Sequence, residues 1–280
     1  MTRTALITGS SSGFGLLTSV TLAQRDWRVL ATMRDLSRRE KLEAAARAAG
    51  VLDRIEILPL DVTRPDQIAT LAATLAARAV PLHAVVNNAG FAMAGFADDV
   101  SDEELRKQFD TNFFAHAAVT RALLPQFRQQ GFGHIVMVSS ISGRTGFPGV
   151  SSYVASKFAL EGWTESLRLE LKPLGIQVAL VEPSAFETGI WTTGTSMAER
   201  TGMPGSVNAA RAQSLFERVK SSKRPDPQIV ANCIVRVLET PRPRLRYVVG
   251  REGHIAVLLR ALLPWRAFEW FLLKASGMGS

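Results

Sequence analysis

The sequence predicts an α/β protein: a doubly wound Rossmann fold in which a seven-stranded parallel sheet carries helices on both faces. Three observations lead there. Short, nearly continuous apolar runs alternate with helix-period segments over the first 250 residues, the pattern of parallel strands buried on both sides. A glycine-rich turn, Thr8-Gly9-Ser10-Ser11-Ser12-Gly13-Phe14-Gly15, separates the first strand from the first helix. No linker, repeat or low-complexity stretch breaks the alternation, so residues 1–252 read as one domain.

The elements follow in order. RTALIT (3–8) is a strand of β-rich apolar residues, and a helix begins near Gly13. WRVLATM (27–33) is the second strand; LEAAARAA (42–49) is a helix of good formers ended by Gly50. RIEILPL (54–60) is a third strand, residues 66–79 a helix, and LHAVVNN (82–88) a fourth strand. Ser101 and Glu104 form a capping-box pattern that opens one long helix to about Gln130. HIVMVSS (134–140) is the fifth strand, 152–172 a helix, and GIQVALVEP (175–183) the sixth strand. Residues 188–225 turn polar and irregular, with an amphipathic stretch near 208–220, and read as a substrate-lid insertion. Asp226-Pro227 opens a helix to about Glu239, and LRYVVG (245–250) is the seventh strand. Residues 253–280 form an apolar-basic extension broken at Pro264.

Composition narrows the function classes. The chain has 280 residues, 46% hydrophobic and 21% charged, enough to bury a core without staples. Its one cysteine, Cys233, allows no intrachain disulfide and lies in an apolar run, which reads as a core thiol in a reducing compartment. The first strand begins at residue 3 and leaves no room for a cleavable presequence, so the expected location is cytoplasmic. The net charge of +8 comes without interleaved aromatics or a nucleic-acid motif in the first 220 residues, which argues against a nucleic-acid partner; the tail is denser in arginine. His83, His116, His134 and His254 lack metal-ligand spacing, so no metal is expected.

The chemistry-bearing residues sit at strand ends. Backbone amides of the turn through Gly9, Ser11, Ser12, Gly13, Phe14 and Gly15 suit a pyrophosphate, although the spacing is G-x-x-x-G-x-G rather than G-x-G-x-x-G. The second strand ends at Met33 and is followed by Arg34, with Arg38 and Arg39 beyond. An acid at that point would select NAD(H), whereas a guanidinium suits a 2′-phosphate and favours NADP(H); Asp35 is the opposing observation. Tyr153 and Lys157 are four apart on a helix and share a face. A neighbouring cation is expected to lower a phenol from about 10 toward neutrality, fitting it for acid/base work. Ser140 closes the fifth strand, where it can steady charge on a substrate oxygen.

Taken together these residues resemble the short-chain dehydrogenase/reductase family over residues 3 to about 250. The resemblance rests on TGSSSGFG (8–15), Asp61-Val62, NNAG (87–90), Asn112, Ser140, and Tyr153 with Lys157. VLATMRDL (29–36) and the long extension are more similar to the hydroxysteroid and retinol dehydrogenase branch than to ketoacyl reductases. The resemblance implies a hydride-transferring oxidoreductase with Tyr153 as general acid/base. It implies that Asp61 and Val62 contact adenine, and that Asn87, Asn88, Ala89 and Gly90 line the adenine-ribose side. Asn112 would hold a relay water, Lys157 the nicotinamide ribose, and Pro183 with Thr188 the nicotinamide. Ser184 stands where the family has a glycine.

Phe91, Met93, Phe96, Phe147, Val150, Phe186, Trp191 and Met197 are candidates for an apolar substrate side. They suit a hydrophobic alcohol, ketone or aldehyde, steroid-, retinoid- or lipid-like. Two other classes stay open: a catalytically silent nucleotide-binding regulatory protein, and a lyase- or dehalogenase-like relative working without a nicotinamide. The family resemblance implies a homodimer or homotetramer formed through the helices at 101–130 and 152–172. For the tail, core or subunit packing is favoured over peripheral membrane contact, with a lid over the cleft as a further option.

Overall fold

A computed structural model describes residues 2–78, 81–187, 195–203, 205–221 and 224–278. The seven foreseen strands form as β1 (Thr4–Ile7), β2 (Arg28–Met33), β3 (Ile55–Pro59), β4 (Ala84–Asn87), β6 (Gly133–Val138), β7 (Ile176–Pro183) and β9 (Arg246–Val249). All pair in parallel in the order β3-β2-β1-β4-β6-β7-β9. The order runs one way from β1 and the other way from β4, so a crevice opens where their carboxyl ends diverge.

Alternation along each strand explains the continuous apolar runs. Ala5, Ile7, Val29, Ala31, Val86, Val136, Ala179 and Val181 share one core. Into it pack Leu22 of α1 (Gly13–Gln24) and Val230, Ile234 and Leu238 of α8 (Gln228–Glu239). Leu6, Leu30, Val85, Ile135, Met137, Val178 and Leu180 share the other. Its helical side comes from Leu71 of α3 (Pro65–Ala77), Leu123 of α5 (Ala115–Gln130) and Leu160 and Leu167 of α6 (Ser151–Leu171). Neither face of the sheet is left for water, so no polar position recurs with period two. Cys233 is buried in the first core, as its apolar context suggested.

Three features differ from the sequence reading. The helix opening at Ser101, with its capping box in place, is not uniform: α4 (Asp102–Phe109) passes through a five-residue π-helical turn, Asp110–Phe114, before α5. A second, two-stranded parallel sheet joins β5 (Ala92–Ala94) to β8 (Thr195–Met197) and ties part of the insertion to the segment after β4. The amphipathic stretch of the insertion forms α7 (Ala209–Ser221).

The third difference is the tail. It forms α9 (Arg251–Leu262) and α10 (Trp265–Ser276), split at Pro264. Only Gly253 and Phe268 of these helices are buried. Leu258, Leu262, Trp265, Trp270, Phe271 and Leu273 are exposed. Of the favoured expectation, packing within the same chain is seen at Gly253, which lies against Ile141, Val248 and Ser184, and at the fully buried Phe268. Both faces of the sheet are already covered by other helices, and most of the tail's large apolar side chains stay exposed. Among the described residues, no helix is long and apolar enough to cross a membrane.

Candidate active site

The crevice holds a cavity of about 560 Å³. One wall is the turn from β1 to α1, represented by Gly9, Ser11, Ser12, Gly13 and Phe14. Gly9 and Gly13 have φ of 71° and 56°, left-handed values that other residues adopt at a cost. A Cβ on Gly9 would lie 2.8 Å from Ala89 Cα, so the turn touches the chain leaving β4. The contact is tied by hydrogen bonds. Asn88 Nδ2 donates to the carbonyls of Thr8 (2.9 Å) and Gly9 (3.1 Å). Thr8 Oγ1 accepts from the amides of Asn88 (2.9 Å) and Ala89 (3.0 Å).

Two expected lining residues do other work. Gly15 is not in the cavity wall; a Cβ there would collide with the Gly9 carbonyl and lie 2.6 Å from Asn88 Nδ2. Asn87 is fully buried behind the wall, where Nδ2 donates to Thr120 Oγ1 at 3.0 Å. It ends a strand whose side chains alternate, so it faces the helices while Asn88 faces the turn.

The far end of the cavity carries Arg34, Arg38, Asp61 and Val62. Asp35 also reaches it, but its carboxylate accepts from the Ser37 amide at 2.9 Å. Hydrogen bonds from Ser37, with Arg38 and Arg34 adding smaller attractions, hold that carboxyl below its usual range. Asp61 is similarly turned back on Thr63, whose amide and hydroxyl it accepts at 2.9 and 2.7 Å.

The opposite end gathers Asn112, Ser140, Tyr153, Lys157 and Pro183 with Ala89 and Gly90. α6 puts Tyr153 and Lys157 on its buried face. Lys157 Nζ donates to the Val138 carbonyl at 2.8 Å and lies 5.8 Å from the centre of the Tyr153 ring. Burial pushes the lysine down to about 8, against the charge of Glu161. Burial also pushes the Tyr153 phenol up to about 12, opposed by a hydrogen bond with Ser140. The expectation that the lysine draws the phenol toward neutrality is thus corrected for the protein without ligands. Desolvation of the phenolate dominates, and the ammonium is directed at a main-chain carbonyl. Ser140 Oγ accepts from the Ser142 amide (3.1 Å) and donates to the Pro183 carbonyl (3.4 Å).

Asn112 lies in the π-helical turn. Its Oδ1 accepts from the Phe91 amide (3.1 Å) and its Nδ2 donates to the Phe91 carbonyl (2.9 Å). Two more residues, unassigned from sequence, work alongside it. Gln108 donates to the Phe91 carbonyl (2.9 Å) and accepts from the Met93 amide (2.7 Å). His116 Nε2 lies 2.7 Å from the Ala89 carbonyl; burial and nearby Lys157 push this imidazole down to about 3, so it is neutral. The signal was present: Gln108, Asn112 and His116 recur every four residues, a polar line on one helix face.

Of the proposed substrate-side residues, Phe91 and Phe186 line the cavity. Met93 is in the core, and Val150 is buried beside Tyr153, with Phe147 packed against it. Phe96 is half-buried and Met197 exposed. Thr188 and Trp191 lie outside the described residues.

Comparison with known proteins agrees with this geometry. Residues 3–199 match the family described as short chain dehydrogenase. The chain is 42% identical to an uncharacterized oxidoreductase, YusZ, of Bacillus subtilis, over 97% of this chain and 98% of that one. It is 37% identical to human retinol dehydrogenase 8, over 87% of this chain and 80% of that one. A solved short-chain dehydrogenase from Streptomyces avermitilis superposes with a TM-score of 0.82 at 32% identity, covering 99% and 98% of the two chains.

The crowding at Gly15 has a measurable consequence. Gly15→Ala forces the Gly9 carbonyl and the Asn88 amide apart, and should lower stability by about 1–3 kcal/mol, the usual range for overpacking. Affinity for a nicotinamide dinucleotide, NADPH or NADH, should fall by at least about tenfold, or 1.4 kcal/mol. Denaturant melts and calorimetric titration check both; unchanged affinity would show that the cofactor does not use this turn.

Proposed function

The chain belongs to the short-chain dehydrogenase family of oxidoreductases, and from that premise we propose that it moves a hydride between NADP(H) and a hydrophobic alcohol/carbonyl pair, with Tyr153 as general acid/base. The observation that carries the reading is that one cavity joins the glycine turn at one end to Ser140, Tyr153 and Lys157 at the other. The residues fit a dinucleotide: the turn leaves no room for a Cβ at Gly9, and two guanidinium groups border the adenosine end.

A bound nicotinamide supplies or accepts the hydride. The protein's part is to bring the substrate oxygen to Tyr153 and Ser140. A phenol held near 12 keeps its proton at neutral pH and can give it to a carbonyl oxygen as negative charge builds there. Ser140, already hydrogen-bonded with the phenol, steadies the same oxygen. Lys157 places a positive charge beside the ring and, in this reading, holds the nicotinamide ribose. Asn112 keeps Phe91 in place at the cavity wall. With Asn112, Ser140, Tyr153 and Lys157 all present around the cavity, no observation favours a silent regulatory role.

The preference for NADP(H) is supported by Arg34 and Arg38, and by Asp35 being held by Ser37. The substrate class is supported by Phe91 and Phe186 in the wall and by the similarity to a retinol dehydrogenase. Tyr153→Phe should lower turnover by roughly 10²–10⁴-fold, the range of general acid catalysis, with NADPH binding retained. Substantial residual turnover on a carbonyl panel would refute the role of Tyr153. Arg34→Ala should weaken NADPH by about tenfold or more and leave NADH unchanged. Equal losses would refute the phosphate assignment.

Association belongs to the same reading. Phe114, Phe158 and Leu169, on the π-helical turn and α6, are 56%, 46% and 70% exposed, which supports burial against a second copy. The tail is suited to an anionic lipid surface: Arg260 lies 5.2 Å over the Trp265 ring and Lys274 4.9 Å over Trp270, among exposed leucines. Sedimentation checks both surfaces. The free protein should have at least a dimer's mass. It should pellet with anionic but not neutral vesicles, and a chain ending at residue 252 should stay in solution. A monomeric mass or indifference to vesicles overturns the corresponding surface.

A further inference from the structure

Behind the Ser140–Tyr153–Lys157 group lies a buried ion cluster that the proposed chemistry does not use. Glu161 follows Lys157 by one turn of α6, and its side chain is only 5% exposed. Glu182, fully buried, precedes Pro183 at the end of β7. Arg246 of β9 reaches three carboxylates: its Nε lies 3.0 Å from Glu161 Oε2 and 3.3 Å from Glu182 Oε1, and Nη2 2.8 Å from Glu165 Oε2. Arg144, in the segment that follows Ser140, lies 3.3 Å from Glu182 Oε1. Three segments that supply site residues thus contribute a charge: the turn after Ser140, the helix of Tyr153 and Lys157, and the strand leading to Pro183.

One carboxylate oxygen in this cluster is unmatched. Glu182 has two cations, and Glu161 Oε2 has Arg246, but Glu161 Oε1 is buried with no hydrogen-bond partner. A buried charge left half unpaired is costly unless another charge faces it. Lys157, one turn earlier on the same buried face of α6, carries the nearest opposite charge on that helix, and its interaction with Glu161 works against the effect of burial on the lysine. Gly143 lets this face of α6 pack closely, for a Cβ there would lie 2.7 Å from Glu161 Cγ and 3.0 Å from the Lys157 carbonyl.

We propose that Glu161 is a positioning residue of this active site: its buried carboxylate, one helical turn from Lys157, keeps Lys157 charged, and the bridge from Arg246 through Glu182 to Arg144 holds Glu161 where it can do so. The inference rests on Lys157 having the role given above, though the charge itself can be read without cofactor. The groups around it are accounted for. Glu165 is exposed on the outer side of Arg246. Glu182 is raised by burial and by Glu161. Arg144 and Arg246 are cations. His116 on α5 is neutral and Tyr153 protonated over the range where the lysine titrates. The sign follows. Burial already brings Lys157 to about 8, so loss of the Glu161 charge moves it further down and leaves more neutral amine at physiological pH.

The test is an NMR titration of ¹³C-labelled lysine side chains in the full-length, cofactor-free protein, with the Lys157 signal assigned by its loss in Lys157→Ala. Glu161→Gln, nearly isosteric, should lower the Lys157 midpoint by roughly one pH unit. Glu161→Asp, which keeps the charge on a shorter arm, should fall between that and the native protein. Glu165→Gln, which removes a charge from the same arginine, should leave the midpoint in place. An unmoved midpoint in Glu161→Gln, or an equal shift in Glu165→Gln, overturns the proposal. If Glu161→Gln does not fold, Glu161→Asp decides: a downward shift supports the assignment and no shift overturns it. NADPH titrations from pH 6.5 to 9 give a second reading, in which Glu161→Gln should lose affinity roughly one pH unit earlier than the native protein. If the native protein binds no NADPH at any pH, the functional reading fails, and the lysine titration still decides the role of Glu161.

Discussion

The amide of Asn88, donated to the carbonyls of Thr8 and Gly9, fixes the distance between two strand ends on either side of the topological reversal. Most of the site is referred to that distance. The turn after β1 can lie against the chain after β4 only because Gly9 and Gly15 lack side chains at the contact. Ala89 and Gly90, held by the same contact, then become cavity wall. Gly90 passes close to Asn112, whose Oδ1 would sit 3.1 Å from a Cβ on that glycine. The approach is therefore passed on from the glycine turn to the π-helical turn, through backbone that has no side chain to move.

Helix geometry carries it the rest of the way. Gln108, Asn112 and His116 hold the carbonyls of Phe91 and Ala89, groups in a segment too irregular to satisfy its own backbone. Buried backbone carbonyls need donors. Three polar side chains at four-residue spacing supply them from one helix, and the π-helical turn lets Asn112 meet both the amide and the carbonyl of Phe91. Such turns often mark functional sites for this reason, since one extra residue re-aims a side chain without breaking the helix. His116 is neutral because burial outweighs its hydrogen bond with the Ala89 carbonyl, so the tautomer with its proton on Nε2 is the one that donates.

What was legible in the sequence follows from the range of each interaction. The strands of the main sheet were readable because burial on both faces imposes continuous apolarity. That candidate residues at strand ends share one cavity was readable because topology decides where strand ends point. Asn87 and Asn88 were not separable by motif alone. They are adjacent in one tetrapeptide, and only alternation about the strand end sends one to Thr120 and the other to the glycine turn. The π-helical turn left no mark, because the capping box and apolar spacing fit a uniform helix equally well. The small sheet of β5 and β8 joins three-residue strands about a hundred residues apart, too short to show a period. The charge state of Tyr153 escaped for a different reason. Spacing placed the lysine on the right face, but not how deeply both groups are buried, and burial decides the sign.

That last point links the two ends of the chemistry. Burial acts on Tyr153 and Lys157 in the same physical sense, favouring the neutral form of each, and so moves their proton affinities apart: the phenol up to about 12, the ammonium down to about 8. A phenol that keeps its proton is suited to giving it to a carbonyl, whereas an ammonium near 8 is poised to lose its charge as the pH rises. The cation is thus the vulnerable partner. A buried cation is maintained by opposite charge nearby, and within this helix that charge comes from Glu161. Glu161 is in turn bridged through Arg246 to Glu182, and Glu182 to Arg144. β9, at the edge of the sheet and remote in sequence from Tyr153 and Lys157, thereby bears on the charge state of the site through a single arginine.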